Sequence, residues 1–267
     1  MEYDLSYRIP LVIPKISKEQ FTKLNAKEQL LYLKLFREQV APTFESFRKP
    51  CRYKGRYSGR GAGAKTESTA SLIIQACEYG WYFGKDFKVL ILRKVQNSIK
   101  DSSKSVLERK IVELGYTDFN VTNEYIKNSS TGAEIIFKGL NDFNANSIKS
   151  LDNISICLLE EASAFDQHSL DLLLPSIRKT WTYNGETLQA EIWFIFNRET
   201  AHDPIYDTLC VNTSGDVKEL KPFGYDNPYY PQILIDEYLR MKEQDPDEAE
   251  HQFIGTPRNN QENSVWN

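Results

Sequence analysis

A run of small residues ending in Lys-Thr constrains this chain more than any other feature. Gly59, Arg60, Gly61, Ala62, Gly63, Ala64, Lys65 and Thr66 follow the spacing GxxxxGK[ST], with Ala64 at the last glycine position. Small residues let consecutive backbone N–H groups curl around phosphate oxygens. The lysine brings a compact cation to the β and γ oxygens, and the hydroxyl meets Mg2+ at a helix N-terminus. Ala64 adds one methyl group where backbone must approach closely, which a small residue tolerates and a bulky one does not. Taken alone, the run also reads as a flexible turn before a helix. A phosphate loop needs a second element, an apolar strand ending in a carboxylate that holds the metal's water shell. Asn153 to Leu159 is the cleanest buried-strand pattern in the chain, and it leads straight into Glu160 and Glu161. Two adjacent carboxylates at the end of a buried strand are costly without a cation. Together the two elements predict a nucleotide site, with Glu160 in the metal shell and Glu161 on the attacking water.

The rest of the pattern supplies a scaffold for such a site. A helix-like run covers Glu67 to Tyr82, and the short apolar run Phe87 to Leu92 reads as a strand. A helix follows from about Ser98 to Leu114, closed by Gly115. Phe119 to Thr122 and Glu134 to Phe137 read as strands around a turn at Asn128 to Gly132. Gln167 to Arg178 is helix-patterned with Pro175 near its end, Tyr183 to Gly185 is a turn, and Glu191 to Phe196 is a strand of aromatic and β-branched residues. Strands alternating with helices predict an α/β fold with a mostly parallel central sheet and helices on both faces. Ahead of it, Ser17 to Gln39 is amphipathic and predicts a packing helix; behind it lie a Pro- and Asn-rich stretch and a charged helix from about Gln232 to Glu243. The expected division is 1–50 as a lead and packing helix, 51–204 as the core, and 205–267 as a C-terminal subdomain and the start of a linker.

Composition excludes several classes. The formal charge of −4 is too small to steer a partner globally, so any nucleic-acid contact must be a local patch. Two basic clusters are candidates: Arg48, Lys49, Arg52, Lys54 and Arg56, or Lys100, Lys104, Arg109 and Lys110. Such runs are also ordinary solvated faces. Cys51, Cys77, Cys157 and Cys210 lack CxxC spacing, which fits free thiols in a reducing compartment, and His168, His202 and His251 lack metal-ligand spacing. No apolar stretch is long enough to span a membrane.

Six pieces in order resemble the ATPase domain of the large terminase subunit, the DNA-packaging motor of tailed bacteriophages. They are the segment from Arg52 through the Gly-rich loop; Leu92, Arg93 and Lys94 with Asp101 and Ser102; Gly132 to Leu140 with Ile148 to Ser150; Leu159 to Ala162; Leu174 to Arg178; and Trp193 to Asn197. The residue after that asparagine, usually proline, is Arg198 here.

This resemblance implies a P-loop NTPase that binds ATP and Mg2+ and moves double-stranded DNA into a procapsid. It implies work as a homo-oligomeric, pentameric ring with a portal protein and a small terminase subunit, in the cytoplasm of an infected bacterial host. Asn197 would sense the γ-phosphate. The nucleotide-contacting set would run from Gly59 to Thr66 and Glu67, with Arg52 ahead of it in an adenine pocket and Thr66 and Glu160 on the metal. Arg60 is the cis candidate for transition-state charge, with Arg93 and Arg178 as alternatives. Full-length members continue into a nuclease domain, and the sequence near Ser264 to Trp266 is where the linker into it would begin, so nuclease activity is not expected here. Rival readings are a helicase-like ATPase, a small-molecule kinase, or a scaffold with a decayed loop.

Overall fold

The computed structural model describes residues 23–25, 40, 44, 47, 50–59, 65–78, 86–94, 103–140, 151, 153–183, 186–211, 217–218 and 230–258. Strands β1 (Tyr53–Tyr57), β2 (Lys88–Arg93), β5 (Glu134–Gly139), β6 (Ile156–Glu160), β9 (Glu191–Phe196) and β10 (Val217–Lys218) form the parallel part of an eight-stranded sheet. Two antiparallel strands, β3 (Phe119–Val121) and β4 (Tyr125–Asn128), extend one edge, giving the order β10-β1-β9-β6-β2-β5-β4-β3. Strands β7 (Thr180–Tyr183) and β8 (Glu186–Gln189) pair as a separate hairpin. The central strands are covered on both faces, so they read as continuous apolar runs rather than alternating ones. Val89 to Leu92, Ile156 to Leu159 and Ile192 to Phe196 are all buried.

Alternation along each strand splits the core in two. Val89, Ile91, Leu158 and Ile195 face helix α1 (Lys65–Glu78) and helix α2 (Ser105–Glu113), meeting Ile73, Ile74, Leu107 and Ile111. Leu90, Leu92, Leu159, Phe194 and Phe196 face the other way, onto Leu170 and Leu173 of helix α3 (Gln167–Leu173) and onto Ile205 and Leu209. From β1 the chain passes through the Gly-rich loop and α1 and returns in β2, having crossed β9 and β6. That crossover leaves the C-terminal ends of β1, β9 and β6 side by side, and ligands of open α/β sheets bind outside such carboxyl ends.

Local chemistry explains most boundaries. Helix α2 stops in a Schellman turn: Gly115 takes φ 72°, its N–H bonds the Val112 carbonyl at 3.0 Å, and Tyr116 N–H bonds that of Ile111 at 3.1 Å. The turn after β4 is built by Asn128, whose Oδ1 accepts from Ser130 and Thr131 N–H at 2.9 and 2.8 Å, with Gly132 at φ 77°. Helix α3 begins at Asp166, which accepts from Ser169 N–H at 2.8 Å. It ends at Leu173, short of the expected Arg178, because Pro175 turns the chain into a 3₁₀ segment, Leu174–Ser176. The helix expected over 17–39 is broken: Lys23 is helical, but Leu24 and Asn25 are not, consistent with the poor helix propensity of asparagine. The remainder of that segment, like Tyr79 to Tyr82 and Ser98 to Ser102, lies outside the described residues.

The C-terminal part is tied to the core through glycine. Helix α4 (Gln232–Gln244) and the short helix α5 (Pro246–Ala249), continued by a wider turn Glu250–Ile254, close around Tyr238, Ala249 and Phe253. A methyl group on Gly59 would lie 2.2 Å from the Phe253 carbonyl carbon, and one on Gly255, at φ 92°, would lie 2.8 Å from that of Ser58. Two backbones therefore touch at the start of the Gly-rich loop, where no side chain fits. Gly59→Ala and Gly255→Ala are each expected to cost about 1–3 kcal/mol or to release the C-terminal helices. Thermal melts check the first outcome, and faster protease cutting between residues 230 and 258 checks the second.

Candidate active site

Lys65 opens α1, and its ammonium does not point to open water. Nζ donates to the Phe196 carbonyl at 2.9 Å, to the Ser58 carbonyl at 3.5 Å and to Asn197 Oδ1. Burial lowers its pKa from 10.5 to about 7. Three elements meet there: β1 ends at Tyr57, β9 ends at Phe196 beside it in register, and Ser58 N–H bonds the same Phe196 carbonyl at 3.3 Å. Thr66 is exposed in the first turn of α1. Arg60, Gly61, Ala62, Gly63 and Ala64 lie outside the described residues.

The acidic strand end stands on the far side of β9. Register pairs Leu92 with Leu159, which sets Arg93 at the end of β2 next to Glu160 at the end of β6. Arg93 Nε donates to Glu160 Oε2 at 2.9 Å, and its Nη1 lies 3.5 Å from Glu161 Oε1. The buried Ser103 hydroxyl, at the start of the turn into α2, also donates to Glu160 Oε2. Glu160 is 7% exposed, whereas the Glu161 side chain is 66% exposed. Glu161 adopts φ 52° and ψ 45°, left-handed geometry that costs a non-glycine residue about 1–2 kcal/mol. Strain of that kind collects at working sites. One arginine thus holds both carboxylates, and among the described residues both hydrogen bonds to Glu160 use Oε2. A hydroxyl and carboxylate oxygens form a hard donor set that suits Mg2+ with its retained waters.

The model of a known family covers this arrangement from end to end: the phage terminase large subunit, matched over residues 52–256. The chain belongs to the phage terminase large subunit family. Among solved structures, the large terminase of a thermophilic bacteriophage aligns with TM-score 0.60 at 12% identity, covering 83% of this chain and 52% of that one. The same phage protein in complex with ADP aligns with TM-score 0.53 at 13% identity, covering 85% and 50%. The HK97 bacteriophage large terminase aligns with TM-score 0.55 at 8% identity, covering 87% and 50%. The terminase chain described here spans about half the length of these proteins, and the likeness at such identities is one of fold. Among proteins of curated function, none matches in sequence.

Several expected contacts of this family member are placed elsewhere. Arg52 precedes β1, and at ~3.3 Å per residue it lies about 20 Å from the loop that β1 feeds. Its guanidinium donates to the Ala190 and Leu174 carbonyls at 2.7 and 2.8 Å, so it braces the bottom of the sheet. Lys54 and Arg56, 1% and 5% exposed, are core residues. Lys54 bonds Glu191 and the Phe47 carbonyl and lies over the Trp193 ring. Arg48, Lys49 and Lys100 fall outside the described residues.

In the second basic cluster, Lys104 pairs with Glu108 at 3.0 Å, and Arg109 and Lys110 pair with Glu67 and Glu113, which neutralises that face. The same pairs hold the Glu67 carboxylate against α2. Arg178 is exposed beyond the 3₁₀ segment. Sequence reasoning missed Ser103, which nothing in its neighbourhood distinguishes, and missed the pairing of Arg93 with both acids, which needs the β2–β6 register. No described helix is long and apolar enough to cross a membrane.

Proposed function

We propose that this chain is the ATP-hydrolysing motor domain of a packaging terminase, driving double-stranded DNA into a procapsid. The observation that carries the reading is the Lys65 ammonium held at the end of β9 on Phe196 O and Asn197, one strand from Glu160 and Glu161. In this reading Lys65 and Thr66 take the β and γ oxygens, and Glu161 orients water for in-line attack. Glu160 holds the metal through its water shell, and Mg2+, when bound, neutralises charge on the transferred phosphoryl group. Lys65 satisfies itself on Asn197 without phosphate. Arrival of a γ-phosphate draws the ammonium away and frees the amide, so loss of phosphate is reported at the root of the segment after β9. Asn197 is the γ-phosphate sensor by that exchange.

Arg93 serves as the internal cation of the acid pair. The transition-state arginine is then Arg60 in the loop or an arginine from a neighbour in a pentameric ring. The portal protein and small terminase subunit are the assembly partners, and the host cytoplasm is the place of work. Nuclease chemistry is assigned to other parts of full-length members.

Steady-state Mg-ATP hydrolysis over a range of protein concentrations tests this. The expected result is turnover that Lys65→Ala lowers at least about 100-fold, because phosphate positioning and charge are lost together. A specific rate that climbs with concentration assigns the arginine to a neighbour, and a flat rate assigns it to a cis arginine such as Arg60. Absence of nucleotide binding under every condition overturns the proposal in favour of a scaffold.

A further inference from the structure

The segment leaving β9 carries an arginine that the chemistry above does not use. Arg198 places its guanidinium carbon 3.3 Å from the centroid of the Tyr206 ring and 5.8 Å from that of Tyr57. Its Nη2 donates to the Ala201 carbonyl at 2.9 Å, and its Nε is buried with no hydrogen-bond partner among the described residues. The two rings meet edge to face at 6.0 Å, and Tyr57 packs in turn on Phe196 at 5.7 Å. A guanidinium forgoes a hydrogen bond at Nε only where the planar stack offsets the loss. Lysine, a hydrated point charge without a plane, does not substitute in such a slot.

We infer that Arg198 is a positioning residue for Asn197, fixing the direction in which the chain leaves β9 so that the amide stays on Lys65. The inference rests on the ATPase reading above. Asn197 is exposed, so packing alone does not orient its amide. Anchors lie on both sides of it. Before it, the Phe196 carbonyl accepts from Ser58 N–H and from Lys65. After it come the Arg198 stack and the bond from Glu199 N–H to Asp203 Oδ2 at 3.1 Å. The Arg198 guanidinium lies with Tyr57, Tyr206 and Ile205 on the α3 face of the sheet, whereas Lys65 arrives from α1 on the opposite face. Arg198 therefore acts through its neighbour and not on the nucleotide. It also links the last residue of β1 to the turn at Tyr206, so a shift of Asn197 is passed to the chain beyond it.

A double-mutant cycle on Mg-ATP hydrolysis by the whole chain tests this. Arg198→Ala is expected to lower kcat about 10- to 100-fold, the scale of a small misplacement of a working group, with the KM for Mg-ATP little changed. Asn197→Ala lowers kcat as well, and the double variant falls no further than Asn197→Ala alone. Arg198→Lys fails to restore kcat. Tyr206→Leu loses as much as Arg198→Ala, and the conservative Tyr206→Phe recovers it. Thermal melts establish that each variant is folded at the assay temperature, and the Tyr206 pair carries the test if Arg198→Ala is not. Losses that add in the double variant, or an unchanged kcat in Arg198→Ala, overturn the inference while leaving the ATPase reading intact. A wild-type chain without hydrolysis overturns that reading and this inference with it.

Discussion

Glu161→Gln is expected to lower Mg-ATP turnover about 1,000-fold while leaving nucleotide affinity within a few-fold of wild type. Gln matches Glu in shape, so it keeps the backbone at φ 52° and the side chain in the solvent-facing position, 66% exposed in the native residue. What it loses is the charge that polarises water and that faces Arg93 at 3.5 Å, and a positioned general base contributes about 10²–10⁴-fold. The neighbouring acid predicts a different failure. Glu160 is 7% exposed and bound by Arg93 and Ser103. Glu160→Gln removes the charge that Arg93 Nε bonds at 2.9 Å while Arg93 keeps Glu161 at 3.5 Å, so the cost is expected below the ~3–5 kcal/mol of a buried charge left wholly unpaired. It should therefore lower the melting temperature and weaken Mg2+ dependence together. Measuring turnover, nucleotide affinity and thermal stability on both variants separates the roles. If Glu160→Gln keeps its stability and loses only turnover while Glu161→Gln weakens metal binding, the two assignments are exchanged.

The parts legible in the sequence were those whose signal is local. Strand β9 runs over Glu191–Phe196 as its aromatic and β-branched residues predict, and the Schellman end of α2 follows from Gly115. Strand β1 was not legible, because Tyr53–Tyr57 contains Lys54 and Arg56, and a segment of that composition reads as a solvated basic patch. Its charges are buried by partners far along the chain: Glu191 shares its carboxylate between Lys54 and the Trp193 indole N–H. The hairpin β7–β8 showed only its turn, since two four-residue strands give too short an alternation to score. The site divides the same way. Glu160 and Glu161 stood out from their strand, but the Arg93 bridge depends on register between β2 and β6. Gly59 was read for phosphate contact alone, while its fit against Phe253 joins residues almost two hundred positions apart.

Mg-ATP affinity is expected to weaken about tenfold for each pH unit above 7, until the pH reaches the higher pKa that Lys65 has in the complex. In the free chain, burial holds the Lys65 ammonium near pKa 7, so at pH 8 most molecules carry it neutral. Phosphate oxygens favour the charged form, and binding must then take up a proton, which is the source of the slope. Below pH 7 the ammonium is already charged and affinity is flat in this group. Stability of the free fold moves the other way. The unfolded chain keeps that proton up to about pH 10.5 while the folded chain releases it near 7, so unfolding takes up a proton between those values. Free-chain stability therefore rises with pH across that window. Thermal melts with and without Mg-ATP from pH 6.5 to 9.5 read both slopes at once: the free chain melts higher and the nucleotide-induced rise shrinks. Lys65→Ala should remove this contribution to each slope. An affinity that holds level from pH 7 to 9 in the wild-type chain would mean that Lys65 stays charged where it lies, with Asn197 and the Phe196 carbonyl offsetting its burial. The exchange of Lys65 between Asn197 and phosphate would then lose its electrostatic drive.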